Sequence, residues 1–126
     1  MTTNSEIVTQ FCAQWKANID IDAVLDFFTD DAEYVNVPID PPNVGKDMIR
    51  ATVEGFTGAA STIEFVVHMQ AENSDGTVMN ERTDRFLIGD TWVELPVMGV
   101  FELTDGKISK WRDYFDLNQF MSQMPG

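Results

Sequence analysis

Basic residues are scarce in this 126-residue chain. Eight Lys and Arg stand against 21 Asp and Glu, a formal charge of −13 at neutral pH. An excess of that size repels polyanions. It argues against nucleic acid, anionic membrane surfaces and anionic metabolites as partners, and leaves a neutral substrate as the easier one to accommodate. Cysteine occurs once, as Cys12, so no disulfide can close within the chain. Histidine also occurs once, as His68. One histidine and one cysteine do not make a zinc site, so no metal is expected. There is no Gly-x-Ser-x-Gly elbow, and Ser–His catalysis would have to use His68 alone. The eight glycines mark turns rather than a phosphate-cradling loop, and no cofactor is expected. No apolar run approaches the roughly 20 residues that cross a bilayer, so no membrane partner is expected. The opening MTTNSEIVTQ has neither the basic start nor the apolar core of a secretory signal. The expected location is the cytoplasm.

What is present is an ordinary hydrophobic content, 44 %, in a length that makes one domain over residues 1–126 with a real core. The first half reads as helices. Thr3 and Glu6 form a capping box ahead of Ile7, Val8, Phe11, Cys12 and Trp15 at helical spacing. This stripe places Cys12 in the core as a small apolar residue. Asp20 or Asp22 caps a second short helix carrying Ile21, Val24, Leu25 and Phe28. An extended piece, AEYVNV, precedes the proline-rich loop PIDPPNVG, and KDMIRATVEGF spaces Ile49, Thr52, Val53 and Phe56 for a third helix. The second half reads as strands. TIEFVVHMQ puts Ile63, Phe65, Val67 and Met69 on one face and His68 on the other. TVMNERTDRFLI and TWVELPVMGVFEL follow, with Pro96 marking a bulge or an edge. Asp105-Gly106 is a hairpin signal, and a tail helix offers Leu117, Phe120, Met121 and Met124. Helices first, then a four-strand antiparallel meander, is an α+β pattern. The expected architecture is a curved, mostly antiparallel sheet with the N-terminal helices closing a cone-shaped barrel around an apolar pocket.

Two strands break the usual alternation in the same way. In ISKWRDYFDL, Ser109, Trp111, Asp113, Phe115 and Leu117 share the apolar face, which therefore carries a carboxylate. In the earlier strand Val78, Asn80, Arg82, Asp84, Phe86 and Ile88 share a face that is apolar at both ends and charged in its middle. An isolated buried charge costs several kcal/mol, so an inward aspartate needs a partner or a proton. One strand lies between the two, so their faces can converge on a curved sheet. Two readings fit the spacing. In one, a buried Asp–Arg–Asp group merely fixes the core. In the other, two carboxylates against one cation leave a spare negative charge, so one carboxyl keeps its proton in a nonpolar pocket. An acid beside a carboxylate is a general acid beside a general base. The apolar neighbours Val78, Phe86, Ile88, Trp111, Phe115 and Leu117 are expected to line the pocket and hold the substrate. In EYVNVP the periodicity alone turns Val35 and Val37 inward, and Tyr34 and Asn36 outward.

Three of these stretches, NERTD at 80–84, WRDYFDL at 111–117 and EYVNVP at 33–38, together resemble the limonene-1,2-epoxide hydrolase family of the nuclear transport factor 2-like superfamily. The resemblance covers nearly the whole chain and is closest from VFELTDGKI to FDL. It implies that Asp113 is the base that deprotonates an attacking water, and that Tyr34 and Asn36 hold that water. Asp84 would be the acid that protonates the epoxide oxygen, and Arg82 would bridge the two aspartates. On this point the resemblance overrides the periodicity and turns Tyr34 and Asn36 inward. The implied reaction opens a small hydrophobic epoxide with water, in one step, to a vicinal diol. The superfamily commonly pairs through the outer face of the sheet, so a homodimer is expected, with Val66, Met79 and Leu87 as apolar contacts. A ketosteroid-isomerase-like or polyketide-cyclase-like enzyme, or a noncatalytic ligand-binding dimer module, would also keep such a cavity.

Overall fold

The computed structural model describes residues 2–39 and 41–125, so Asp40 of the proline-rich loop lies outside it. Helix α1 spans Asn4–Cys12 and α2 spans Ile21–Leu25. They are followed by β1 Phe28–Asn36, β2 Asn43–Val44 and α3 Lys46–Ala59. Strands β3 Thr62–Glu72, β4 Val78–Ile88, β5 Thr91–Thr104 and β6 Lys107–Tyr114 come next, and α4 Leu117–Met121 closes the described chain. This is the α+β order that the sequence implies.

The helix starts follow their caps. The Thr3 hydroxyl accepts the Glu6 backbone N–H at 3.1 Å and donates to the Glu6 carboxylate at 3.2 Å, satisfying an otherwise orphaned donor of α1. Asp20, rather than Asp22, caps α2 by accepting from the Ala23 backbone N–H. Helix α2 is shorter than its apolar spacing implied. Phe28 is not its last residue but the first of β1, where it pairs with Ile108. At the start of α3 the backbone has φ +88°, a region that Gly45 enters without strain. That helix buries Ile49 and Val53 as spaced.

The strands form one sheet in the order β2-β1-β6-β5-β4-β3, antiparallel except for β1 beside β6. The meander β3–β6 is as expected, with β5 between β4 and β6. Its last turn places Asp105 at φ +50° and Gly106 at φ +79°, as a tight hairpin demands. Pro96 sits in β5 opposite Thr83, with no bulge between β4 and β5 there. On its other side the ladder with β6 starts only at Met98, so Pro96 occupies a local edge and costs no bond there.

Two bulges alter the expected faces. In β3 the register shifts between Val67 and Met69, which leaves both exposed and turns Gln70 toward α1. Between β5 and β6 the register shifts at Glu102/Leu103. Ser109 is absorbed there, its hydroxyl donating to the Glu102 carbonyl, so Ile108 and Trp111 are both buried although their spacing of three would oppose them. Strand β6 ends at Tyr114, so Phe115 and Leu117 reach the interior from beyond the strand.

The core lies between the concave face of the sheet and the helices. Phe11 of α1 is its hub, in edge contact with Trp15, Phe27, Phe28, Phe101 and Trp111 at centroid distances of 5.0–6.1 Å. Cys12 is buried there. The outer face carries the exposed charges, with Arg85 paired to Glu64 and Glu94, and Arg112 to Glu102.

Candidate active site

Register aligns the inward residues in rows across the sheet. The first row runs Val78, Phe101, Trp111, Tyr34 over β4, β5, β6 and β1, and the next runs Asn80, Gly99, Asp113, Asn36. Arg82 and Asp84 follow on β4, opposite Val97 and Leu95. The first row is packed into the core, with Tyr34 at its β1 end also reaching a cavity, which Asn36, Asp113, Asp84, Leu95 and Val97 of the later rows face. Tyr34 and Asn36 therefore point inward because β1 pairs in parallel with β6 and must share its concave face. Val37 is turned out, 42 % exposed. Here the resemblance, and not the bare periodicity, gave the right face.

Arg82, Asp84 and Asp113 form one buried group. Arg82 Nε and Nη2 each donate to one oxygen of Asp84 at 2.9 Å, a bidentate pair. The same Nη2 donates to Asp113 Oδ2 at 2.8 Å, and Nη1 donates to Asn80 Oδ1 at 3.0 Å. Asp113 Oδ1 accepts from Trp111 Nε1 at 2.7 Å. Trp111 also stacks on Tyr34, with centroids 3.9 Å apart, and the Tyr34 hydroxyl donates to Asn36 Oδ1 at 3.1 Å. The arginine carbon lies 4.6 Å from the Phe65 ring centroid, which covers the cation on its remaining side.

The electrostatics follow from burial. Burial pushes the Asp84 carboxyl up to about 6, against the pull of Arg82. Burial also raises Asp113, against Arg82 and the Trp111 N–H. Burial alone would lower Arg82, but the attraction of Asp113 and Asp84 outweighs it and keeps the guanidinium charged. Tyr34, also desolvated and close to Asp113, stays a protonated phenol. Two carboxyls around one cation in a dry site titrate as a pair, and the first proton is held more firmly than in water.

The cavity against this group measures about 260 Å³. Its polar lining consists of Tyr34, Asn36, Asp84 and Asp113, and the rest is apolar or glycine. Phe86, Ile88, Phe115 and Leu117 line it as expected. Val78 and Trp111 do not. They stand one row lower, fully buried in the core, and Trp111 acts on the site through its hydrogen bond to Asp113. Arg82 stands behind the two carboxylates, its side chain fully buried. Phe65, on the apolar face that alternation gave its strand, adds to the wall, as do Leu95 and Val97 of β5, and Phe56, Ala59 and Ala60 around α3. The signal for the last three was the apolar stripe of that helix, whose small residues leave the room. His68 is exposed on the outer face, its Nε2 2.7 Å from Thr83 Oγ1, away from the cavity. Burial pushes the Cys12 thiol up to about 12, so it is no nucleophile. Among the described residues no group of three or more His, Cys, Asp or Glu is placed to hold a metal ion.

Comparison with known proteins gives this geometry a family. Residues 2–126 match the family model of the limonene-1,2-epoxide hydrolase catalytic domain. Epoxide hydrolase EphG of Mycobacterium tuberculosis is 38 % identical over 101 residues, which are 79 % of this chain and 65 % of that relative's length. The solved structure of an M. tuberculosis epoxide hydrolase like the limonene-1,2-epoxide hydrolases superposes with a TM-score of 0.81 at 31 % identity, over 95 % of this chain and 87 % of that one. A nuclear transport factor 2-like protein of unknown function from Burkholderia pseudomallei gives a TM-score of 0.83 at 15 % identity over 100 % of both chains, a likeness of fold alone.

Proposed function

The chain belongs to the limonene-1,2-epoxide hydrolase family, and from that premise we propose that it adds water to a small apolar epoxide in one acid/base step, giving a vicinal diol. The observation that carries the reading is the sharing of Arg82 between Asp84 and Asp113 at the polar end of an otherwise apolar cavity. Asp113 is the base. Water sits against it within reach of Tyr34 and Asn36, and loses its proton as its oxygen attacks a ring carbon. Asp84, whose carboxyl is raised by burial and by the neighbouring charge of Asp113, gives its proton to the departing ring oxygen. Arg82 holds the two carboxyls in their opposite protonation states. Acid and base assistance of this kind contributes on the order of 10²–10⁴-fold each. The apolar wall selects uncharged substrates, in keeping with the acidic chain. In this reading residues 1–126 act as one catalytic domain.

The test is a single turnover in ¹⁸O-labelled water with enzyme in excess over a small apolar epoxide. Label should enter the diol at once, with no ester adduct on quenching. An unlabelled diol, or a mass shift on Asp113 or Asp84, would mean that a carboxylate attacks first.

The reading extends to a homodimer through the outer sheet face, where Val66, Met79, Met98 and Tyr114 are 36–47 % exposed. Light scattering at micromolar concentration should give twice the 14.2 kDa of one chain. A single-chain mass would refute it.

A further inference from the structure

Asn80 is buried, yet it neither lines the cavity nor belongs to the acid/base set. All its side-chain contacts are specific. Its Oδ1 accepts from Arg82 Nη1 at 3.0 Å. Its Nδ2 donates to Gln70 Oε1 at 3.1 Å and faces Cys12 Sγ at 3.8 Å. Gln70 is itself tied to α1, because its Nε2 donates to the Ser5 carbonyl, Ser5 Oγ and Thr9 Oγ1 at 2.8–3.1 Å. The β3 bulge at Val67/Met69 is what turns Gln70 to this face. The amide of Asn80 is therefore clamped from behind, with only its oxygen offered to the arginine.

The clamp decides which carboxylate receives which edge of the guanidinium. Nε and Nη2 go to Asp84, and Nη2 alone goes to Asp113. Nη1 is engaged by a neutral acceptor. Its next acceptor is close at hand: Asn80 Oδ1 and Asp113 Oδ1 lie 2.9 and 3.0 Å from the point over Gly99 where a Cβ would stand, and Nη1 crowds the same point. Were Asn80 absent, Nη1 would turn to Asp113 Oδ1, which among the described residues accepts only from Trp111. A base that accepts two arginine bonds is a poorer base.

We propose that Asn80 is a positioning residue, which engages Arg82 Nη1 through the α1–Gln70–Asn80 relay and so keeps Asp113 to a single arginine bond and free to take a proton. The inference rests on the acid/base reading of the site. Asn80 acts through Arg82 and does not touch the substrate. The other titratable groups packed around the pair are Tyr34 on β1, Asp84 on β4 and Cys12 on α1. Tyr34 and Cys12 remain protonated over the working range.

Two substitutions at Asn80 test this with opposite signs. Asn80→Leu frees Nη1 for Asp113. The result expected is a fall in kcat of about tenfold or more with KM within about twofold, and an acidic limb of the pH–rate profile that moves to lower pH. Asn80→Asp adds a third carboxylate beside the pair, and its acidic limb should move to higher pH. Gln70→Met, at a half-buried position, unclamps the amide and should move the profile as Asn80→Leu does, by less. It serves if Asn80→Leu does not fold. The same shifts should be visible without substrate, as titration midpoints of ¹³C-labelled aspartate carboxyls assigned through Asp84→Asn and Asp113→Asn. Failure of the wild type on every epoxide would therefore sink the hydrolase reading alone, since the titration still decides the role of Asn80. Folded variants with unmoved midpoints, or with both Asn80 variants shifted the same way, would overturn the proposal.

Discussion

Gly99 leaves open the space that the Arg82 guanidinium fills. A Cβ on Gly99 would collide with Arg82 Nη1, and would stand 2.9 Å from Asn80 Oδ1 and 3.0 Å from Asp113 Oδ1. Strand β5 lies between β4 and β6, so a side chain at this row would keep the arginine from reaching Asp113. The glycine is here for close approach, not for an unusual backbone angle.

Gly99→Ala should therefore act on the site and on the fold together. The arginine tip cannot yield easily, because Asp84, Asp113 and Asn80 all hold it. Overpacking of this kind costs about 1–3 kcal/mol. The expected outcome is a lower melting temperature and a fall in kcat larger than any change in KM. Wild-type values of both would show that the guanidinium need not lie over β5.

Asp113→Asn and Asp84→Asn should each lower turnover of a small epoxide by on the order of 10²-fold or more, with circular dichroism unchanged. The carboxamide keeps the shape but is neither a useful base nor a useful acid. If either variant retained more than roughly a tenth of wild-type activity, the two-carboxylate mechanism would be wrong.

The pH dependence of stability has a definite sign. Asp84 is held at about 6, against 3.8 for the free group, because burial disfavours its charge. A carboxyl whose pKa rises on folding binds its proton more tightly in the native state. Its contribution to stability is full below about 3.8 and is lost as pH rises through about 6. Asp84→Asn removes that loss. The melting temperature of the variant minus that of the wild type should grow more positive from about pH 4 to about pH 7. A difference that stays flat, or that falls, would mean Asp84 is ionised throughout in the native protein.

Much of this site is written in the chain itself. Alternation by itself put Asn80, Arg82, Asp84, Phe86 and Ile88 on one face, because no bulge interrupts β4 against β5. It put Asp113 inside with Trp111 because the register shift between β5 and β6 falls before Trp111 and none separates the two. The turn at Asp105-Gly106 and the caps at Thr3 and Asp20 were legible because they depend on a few neighbouring residues. Tyr34 and Asn36 were not legible from periodicity, since β1 has valines that fit the interior equally well. What turned them inward is the parallel pairing that sets Tyr34 beside Trp111 and Asn36 beside Asp113.

The bulges and the rows belong to the tertiary structure alone. A period of two holds along a strand only until an extra residue enters. Such residues bring Gln70 to Asn80, and Ile108 into the core beside Trp111. Val78 and Trp111 were expected in the cavity wall, but they lie one row too low. Row position is set by register between strands and not by any pattern within one. The sequence by itself determined the chemistry, two inward carboxylates and one arginine on faces that are otherwise apolar. Only the fold decided that the three would meet, because meeting required β5 to present its glycine in the one row that Arg82 must cross.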